Sequence, residues 1–144
     1  SAPLRGVERV GLAYQQCREV LHITRRLSGS SEPRPTAYFH DLGYLHALYH
    51  AGQESIGSNP YVDGLRLLLE EQGADLFRTL EAYLDAGASG VQTAEALHIH
   101  RSTLNYRLQR IVEIFTPSNV ELSDPITRTN LQVAIKLLRL FEVE

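Results

Sequence analysis

The chain has 144 residues, of which 43% are hydrophobic and 22% charged, as in a soluble globular protein of one ordinary domain or two very small ones. Its net charge of −3 argues against a protein that coats phosphates regardless of sequence, but leaves open a sequence-specific DNA reader, which depends on local charge. No apolar run reaches the roughly 18 residues of a membrane helix, and no signal-peptide pattern opens the chain. The single cysteine excludes an internal disulfide, and we expect a cytoplasmic protein.

The first predicted element is a long helix from Pro3 to Ser28. Its apolar positions recur at alternating spacings of three and four, the period of a helical stripe. The stripe consists of Val7, Val10, Tyr14, Cys17 and Leu21, and it is widened by Leu12, Val20, Ile23 and Leu27. We expect it to dock on its own domain, which would make the thiol of Cys17 an inert core group. A dimer seam is the alternative, although fewer than four heptads are too short to claim a coiled coil.

The next segment combines a short strand with a histidine-rich helix. We predict the strand near 36–39, left from an upstream α/β domain, and the helix at Tyr44–Ala51. His46 and His50 stand at i and i+4, so both imidazoles lie on one helical face; with His40 nearby, a zinc site is one hypothesis. No cysteine or spaced carboxylate completes the ligand set. Ordinary surface or packed histidines are therefore favoured, and we predict no metal and no cofactor.

The middle of the chain predicts a polar loop and two packing helices. The loop covers 52–59. Asn59 as N-cap and Pro60 as the first helical residue indicate where the first helix starts. Asp75 is expected to cap the second helix, Leu76–Ala86.

The stretch from Gly90 to Phe115 predicts a helix-turn-helix. A short helix at Val91–Leu97 is followed by a tight joint and a second amphipathic helix at about 102–115. Many helix-turn-helix segments have glycine at the position of His98, because the turn favours positive φ there. Histidine is tolerated at such a position but is less favourable. Ser102 is expected to cap the second helix.

The second helix has an apolar side and a side of groove-reading residues. The apolar stripe consists of Leu104, Leu108, Ile111, Val112 and Phe115. Arginine pairs with guanine, asparagine with adenine and threonine with the thymine methyl, whereas hydroxyls and the helix N-terminus suit phosphates. We expect His100 to Arg107 to enter the major groove and Arg110 to contact the DNA backbone. The candidate DNA-binding residues are His100, Arg101, Ser102, Thr103, Asn105, Tyr106, Arg107 and Arg110.

At these residues the chain resembles a known family. The segments TLEAYLDAG, AEALHIHRSTLNYRLQRI and LSDPITRTNLQVAIKL are similar to the C-terminal DNA-binding domain of the purine-catabolism and sugar-diacid regulators, the PucR/CdaR type. The resemblance covers about Leu76 to Leu140, and HRSTLNYRLQRI is its most specific part. It implies a cytoplasmic transcriptional regulator, usually an activator of catabolic genes, that binds promoter or operator DNA. It also implies a small-molecule effector bound by an upstream domain, which we expect to lie outside this chain.

The end of the chain predicts a last helix. Asp124 is the candidate N-cap and Pro125 the first helical residue. The apolar side of this helix consists of Leu131, Ala134, Ile135, Leu138 and Phe141; we expect it to be core, with a dimer contact as the alternative. Taken together, the elements predict a mainly α fold. Residues 1–59 are expected to be a linker region and the tail of an upstream central or sensory domain, and 60–144 the helix-turn-helix DNA-binding domain.

No catalytic constellation emerges from the sequence. It has no phosphate-binding glycine loop and no diagnostic Ser–His spacing, so we predict that the chain is not an enzyme. The favoured hypothesis is a sequence-specific DNA-binding domain of a bacterial transcriptional regulator that binds double-stranded DNA, with a homodimer as the expected assembly. The alternative is a helical effector-sensing or protein-interaction module without direct DNA binding, for which no salt-dependent DNA affinity is predicted.

Overall fold

The computed structural model describes residues 6, 9–27, 38–71, 74–115 and 120–142. Within these ranges the regular structure is helical, which confirms the mainly α prediction. The helices are α1 (Val10–Leu27), α2 (Tyr44–Ala51), α3 (Glu54–Gly57), α4 (Val62–Glu71), α5 (Ala74–Asp85), α6 (Gly90–Ala96), α7 (Arg101–Ile114) and α8 (Pro125–Phe141). None of the described helices is both long and apolar enough to cross a membrane.

The region in which a strand was predicted contains a turn in its described part. Thr36 and Ala37 lie outside the described residues, and a 3₁₀ helix begins at Phe39. Tyr38 has an extended backbone, but its N–H donates to Asp41 Oδ2 at 3.3 Å, while the N–H of Asp41 donates to the carbonyl of Tyr38 at 3.0 Å. These two bonds form a turn at the position where a strand would have to continue.

The chain divides into two compact units. The first consists of residues 1–57 and 136–144, and the second of residues 58–135. The predicted assignment of 1–59 to a linker and upstream tail concerns function, and it stays a prediction.

The core of the first unit is built from α1, the 3₁₀ helix and the end of α8. Its buried members are Val20, Ile23, Leu42 and Leu140, with Leu27, Phe39, Leu45, Leu48, Tyr49 and Phe141 packed around them. The main positions of the predicted stripe are therefore wrong, because Val10, Tyr14, Cys17 and Leu21 are exposed and Val7 lies outside the described residues. Of the residues predicted to widen it, Val20, Ile23 and Leu27 do pack here, whereas Leu12 is exposed. Residues 16, 20, 23 and 27 share the spacing of 10, 14, 17 and 21, so periodicity could not choose between the two faces. The Cys17 thiol is accordingly not a core group.

Two helices follow in the first unit. The structure confirms α2 at its predicted bounds; Gly52 ends it with a positive φ of 75°. The predicted polar loop at 52–59 is wrong in part, because it contains α3. There Ser55 donates its hydroxyl to the Gly52 carbonyl at 2.7 Å, and Ile56 is buried. One apolar residue in a polar stretch was too weak a signal for a helix.

In the second unit, α4 and α5 start at other residues than predicted. The side chain of Asn59 accepts the N–H of Tyr61 at 3.0 Å, which makes a turn before the helix rather than a cap on it. Helix α4 therefore begins at Val62. Helix α5 begins at Ala74, so Asp75 lies inside its first turn. There its carboxylate lies near the positive end of the helix dipole, which stabilises the helix electrostatically without a capping bond.

Helices α4 and α7 approach each other closely at one glycine. A Cβ atom added to Gly64 would lie 2.2 Å from Cε1 and 2.6 Å from Cδ1 of Phe115. Phe115 is buried just after the end of α7. Gly64 therefore makes room for this ring against the α4 backbone. The buried residues around the contact include Val62, Leu65, Leu68, Leu76, Phe77, Leu80, Leu104 and Ile111.

Helix α8 starts as predicted. Asp124 Oδ2 accepts both the N–H and the hydroxyl of Thr127, each at 2.7 Å, and α8 begins at Pro125. The hydroxyl bond, followed by the backbone bond, lowers the pKa of Asp124 because both stabilise the carboxylate. The predicted apolar side is buried at Leu131, Ala134, Ile135 and Leu138, whereas Phe141 is half-buried.

Candidate nucleic-acid interface

Helix α6 is held at its start and rests on α7. The side chain of Ser89 accepts the N–H of Gln92 at 3.4 Å, and the buried hydroxyl of Thr93 donates to the Ser89 carbonyl at 2.7 Å. A Cβ on Gly90 would lie 3.9 Å from Leu104 Cδ2, so the start of α6 lies over the apolar side of α7. This packing sets the angle between the two helices of the motif.

The joint between the helices is a glycine-type turn formed without glycine. The N–H of His98 donates to the Glu95 carbonyl at 3.1 Å, and that of Ile99 to the Ala94 carbonyl at 3.0 Å. This pair of bonds is a Schellman motif, which requires a left-handed residue after the helix. His98 is that residue, with φ of 52°, and the predicted positive φ is confirmed.

Replacing His98 with glycine is expected to stabilise the domain by up to about 1 kcal/mol. Glycine removes the penalty of roughly 1–2 kcal/mol for a left-handed backbone at a residue with a side chain. It also makes the unfolded chain more flexible, which lowers the stability of the fold by about 0.4–1 kcal/mol. The exposed His98 side chain gives up no core packing. Thermal unfolding of His98→Gly beside His98→Ala measures the effect. Alanine keeps the Cβ, so equal stability of the two variants would contradict a penalty at this backbone position.

The cap of α7 differs from the predicted one. The helix begins at Arg101, and His100 is its N-cap: the His100 Nδ1 accepts the N–H of Ser102 at 3.3 Å and lies 2.8 Å from Ser102 Oγ. Ser102 was predicted as the cap but already lies within the first turn. The imidazole thus replaces the hydroxyl as acceptor, because an extended backbone at His100 directs its ring over the first turn.

Six of the candidate residues are exposed at the N-terminal half of α7: His100, Arg101, Ser102, Thr103, Asn105 and Tyr106. The opposite side is core, with Leu104, Ile111 and Phe115 buried and Leu108 half-buried. Val112 was predicted in the apolar stripe but is exposed. The helix therefore presents one continuous polar face.

The structure separates Arg107 from these six residues. Its guanidinium donates to Asp75 Oδ2 at 3.1 Å and to Thr79 Oγ1 at 3.2 Å, both on α5. The hydroxyl of the buried Thr79 in turn donates to the Asp75 carbonyl at 2.7 Å. The Arg107 side chain is 23% exposed. Here it joins α7 to α5, a role that the sequence indicated only through the spacing of Asp75 and Thr79 at i and i+4.

The C-terminal half of the polar face carries an ion pair. Arg110 donates to Glu113 Oε2 at 3.1 Å, and both line an open cleft together with Tyr106 and Gln109. Ser102, Tyr106, Gln109 and Glu113 follow the 4-3-4 spacing of one outward row. Gln109 is exposed in this row and was not among the candidate DNA-binding residues, although glutamine reads adenine as asparagine does.

Comparison with known proteins agrees with this geometry. Residues 76–137 match the PucR C-terminal helix-turn-helix domain. This part of the chain is similar to the DNA-binding domains of PucR-type regulators. The match begins in α5 and ends in α8. It therefore includes both helices of the motif and also α5, to which Arg107 is bonded. PucR-type domains are those of transcriptional regulators, not of enzymes, which agrees with the predicted absence of catalysis.

Three similar proteins are bacterial regulators by their names. The chain is 31% identical over 134 residues to the proline-responsive transcriptional activator PutR of Bacillus subtilis, which is 91% of this chain and 31% of PutR. It is 37% identical over 82 residues to the purine catabolism regulatory protein of the same organism (56% of this chain, 15% of the relative). It is 27% identical over 131 residues to the DNA-binding transcriptional activator AdeR of Bacillus subtilis (89% of this chain, 30% of AdeR). The chain thus spans about a third or less of these relatives. No solved structure matches it significantly.

Proposed function

We propose that this chain is the DNA-reading part of a bacterial transcriptional regulator and that α7 enters the major groove. The observation that carries the proposal is the exposed N-terminal half of α7 opposite a fully packed apolar side. No acidic residue occurs between Glu95 and Glu113, in a chain whose net charge is −3. A polar helix face of this kind, preceded by a tight joint and a short supporting helix, has the docking geometry of a recognition helix.

The exposed side chains divide into two groups by chemistry. Arg101, Ser102 and the N-terminus of α7 face phosphates, which set the register of the helix on DNA. Thr103, Asn105 and Tyr106 lie further along the helix and reach base edges, with His100 at the rim of the joint. Their positions support a groove contact limited to the first two turns.

The second half of α7 contributes less to the groove. Arg110 contacts the DNA backbone, although its pairing with Glu113 reduces its attraction for phosphate. Gln109 extends the reading surface by one turn. Arg107 positions the recognition helix through Asp75 and Thr79 instead of reading a base.

Asn105→Ala tests base reading. An operator is first selected from randomised DNA with the unaltered protein, and affinity is then measured against operator and scrambled DNA at a stated salt concentration. We expect a loss of about 1–3 kcal/mol, roughly 5- to 150-fold, on the operator and little change on scrambled DNA. Asn130→Ala on α8 is the matched control, because Asn130 is also exposed and lies outside the predicted interface.

Each other outcome has a defined meaning. An equal loss on both DNAs would assign Asn105 to phosphate and overturn its role in reading. If the unaltered protein showed no salt-dependent affinity for any DNA, the chain would instead be a helical effector-sensing or protein-interaction module.

The remaining parts of the proposal concern the whole regulator. We place it in the cytoplasm, with residues 1–59 as the connection to an effector-binding region and 60–144 as the DNA-binding domain. Two relatives are activators by name, which supports activation of catabolic genes as the output. A homodimer would read half-sites about 34–36 Å apart, the spacing that places two recognition helices on one side of DNA.

A further inference from the structure

Three metal-ligating side chains meet in the first unit. They are Glu19 on α1 and His46 and His50 on α2. One potential ligand atom from each lies within 4.8 Å of the others. The sequence analysis dismissed a metal here because no carboxylate was spaced to complete the set. The carboxylate comes from a residue 27 positions before His46, which only the packing of α1 on α2 brings close.

We propose that Glu19, His46 and His50 form a divalent transition-metal site that takes Zn²⁺. Two imidazoles and a carboxylate are a ligand set that zinc binds, with a fourth position left for water. Imidazole nitrogen favours zinc over the hard cations Mg²⁺ and Ca²⁺. The i and i+4 spacing directs both rings from one helix toward one point.

The carboxylate already bridges the two imidazoles. Glu19 Oε1 is bonded to His46 Nδ1, and Glu19 Oε2 lies 3.2 Å from His50 Nε2. The Glu19 side chain is only 11% exposed, so both of its oxygens are directed inward at the rings. In this state protons on the imidazoles occupy the place that a cation would take.

Aromatic packing holds the rings in this orientation. The ring of Phe39 meets His46 edge-on at 5.1 Å between centroids, and Tyr49 meets His50 edge-on at 5.5 Å. The two imidazoles are themselves 4.5 Å apart at 69°. Beneath them the α1 residues Val20 and Ile23 belong to the same core as Leu45 and Leu48 of α2, so the two backbones are held together without a metal. Such preorganisation raises metal affinity.

The cluster is open to solvent on the histidine side. His46 and His50 are 45% and 59% exposed, which gives an ion a path to enter and room for a water ligand. Tetrahedral zinc bonds of about 2.0–2.2 Å require the ligand atoms to stand roughly 3.4 Å apart. Rotation of the carboxylate away from direct contact with His46 provides that separation. The bound ion would fasten α1 to α2.

Titration of the chelator-treated chain with ZnCl₂ tests the proposal. We expect one equivalent to bind and to raise the melting temperature in a concentration-dependent way. Substitution by Co²⁺ should produce the visible absorption of a four-coordinate ion with nitrogen and oxygen ligands. Side-chain nitrogen NMR should show shifts of His46 and His50 at one equivalent, with the other histidines unchanged.

Ligand variants and one control identify the site. His50→Ala and Glu19→Gln should weaken Zn²⁺ binding at least tenfold and abolish the zinc-dependent rise in melting temperature. His40→Ala is the matched control: it removes a histidine of the same unit that is bonded to Asp41 and lies outside the cluster. Because His50 is half exposed, its loss should leave the fold intact, which circular dichroism of the metal-free variant verifies. Unchanged affinity in His50→Ala, or equal weakening in His40→Ala, would overturn the site. So would an unaltered chain that binds no Zn²⁺ at micromolar concentration.

Discussion

Gly64→Ala is expected to destabilise the second unit by roughly 1–3 kcal/mol, despite the higher helix propensity of alanine. The added methyl would lie 2.2 Å from Cε1 of Phe115 and 2.6 Å from Cδ1. Phe115 is only 1% exposed, so its ring lies within the packed core. Either α4 or the end of α7 must therefore shift, and each shift opens packing elsewhere in the core. Chemical denaturation of the purified chain measures the loss.

A matched glycine should respond in the opposite direction. Gly11 lies exposed within α1, and an added Cβ meets nothing within 4 Å. Gly11→Ala should therefore stabilise its helix by about 0.5–1 kcal/mol. In the background of Gly64→Ala, Phe115→Leu should cost less than it does alone, because the smaller side chain frees the space that the methyl needs. Strict additivity of the two substitutions would show that the clash is not the cause.

Arg107→Ala is expected to lower both stability and DNA affinity, the latter equally on operator and scrambled DNA. The substitution removes two bonds from the guanidinium to α5 and leaves the buried hydroxyl of Thr79 with one fewer partner. We expect a loss of unfolding free energy of about 1–2 kcal/mol, since the pair is partly screened by solvent. Arg107→Lys should recover little of it, because an ammonium cannot bond both acceptors in the fork geometry of a guanidinium.

Arg101→Ala provides the contrast on the same helix. Arg101 is exposed at the first residue of α7, so its loss should leave the melting temperature unchanged while weakening binding to both DNAs and reducing the salt dependence. If Arg107→Ala kept full stability and relaxed base preference only on the operator, Arg107 would be a reading residue after all, and the contact with α5 would be broken in the complex.

The local features that the sequence determined are those with a short-range cause. The cap of α8 follows from Asp124, Pro125 and Thr127, which lie within four residues of each other. The left-handed turn at His98 follows from the spacing of two helices around a tight joint. The proposal that α7 is the recognition helix also rests on a continuous run, from His100 to Ile111. In each case the deciding atoms are neighbours in the chain.

Only the tertiary structure decided which helix faces are buried and which distant side chains bond to each other. Two stripes of α1 have the same period, and the core contains the one with Val20 and Ile23, which were predicted only to widen the other. Arg107 has the chemistry of a base reader, but the proximity of Asp75, 32 positions earlier, binds it to α5. Glu19 joins His46 and His50 across a similar separation. Helical periodicity specifies which residues share a face. Which segment covers that face depends on the packing of residues that are distant in the chain, and a local sequence pattern does not specify this packing.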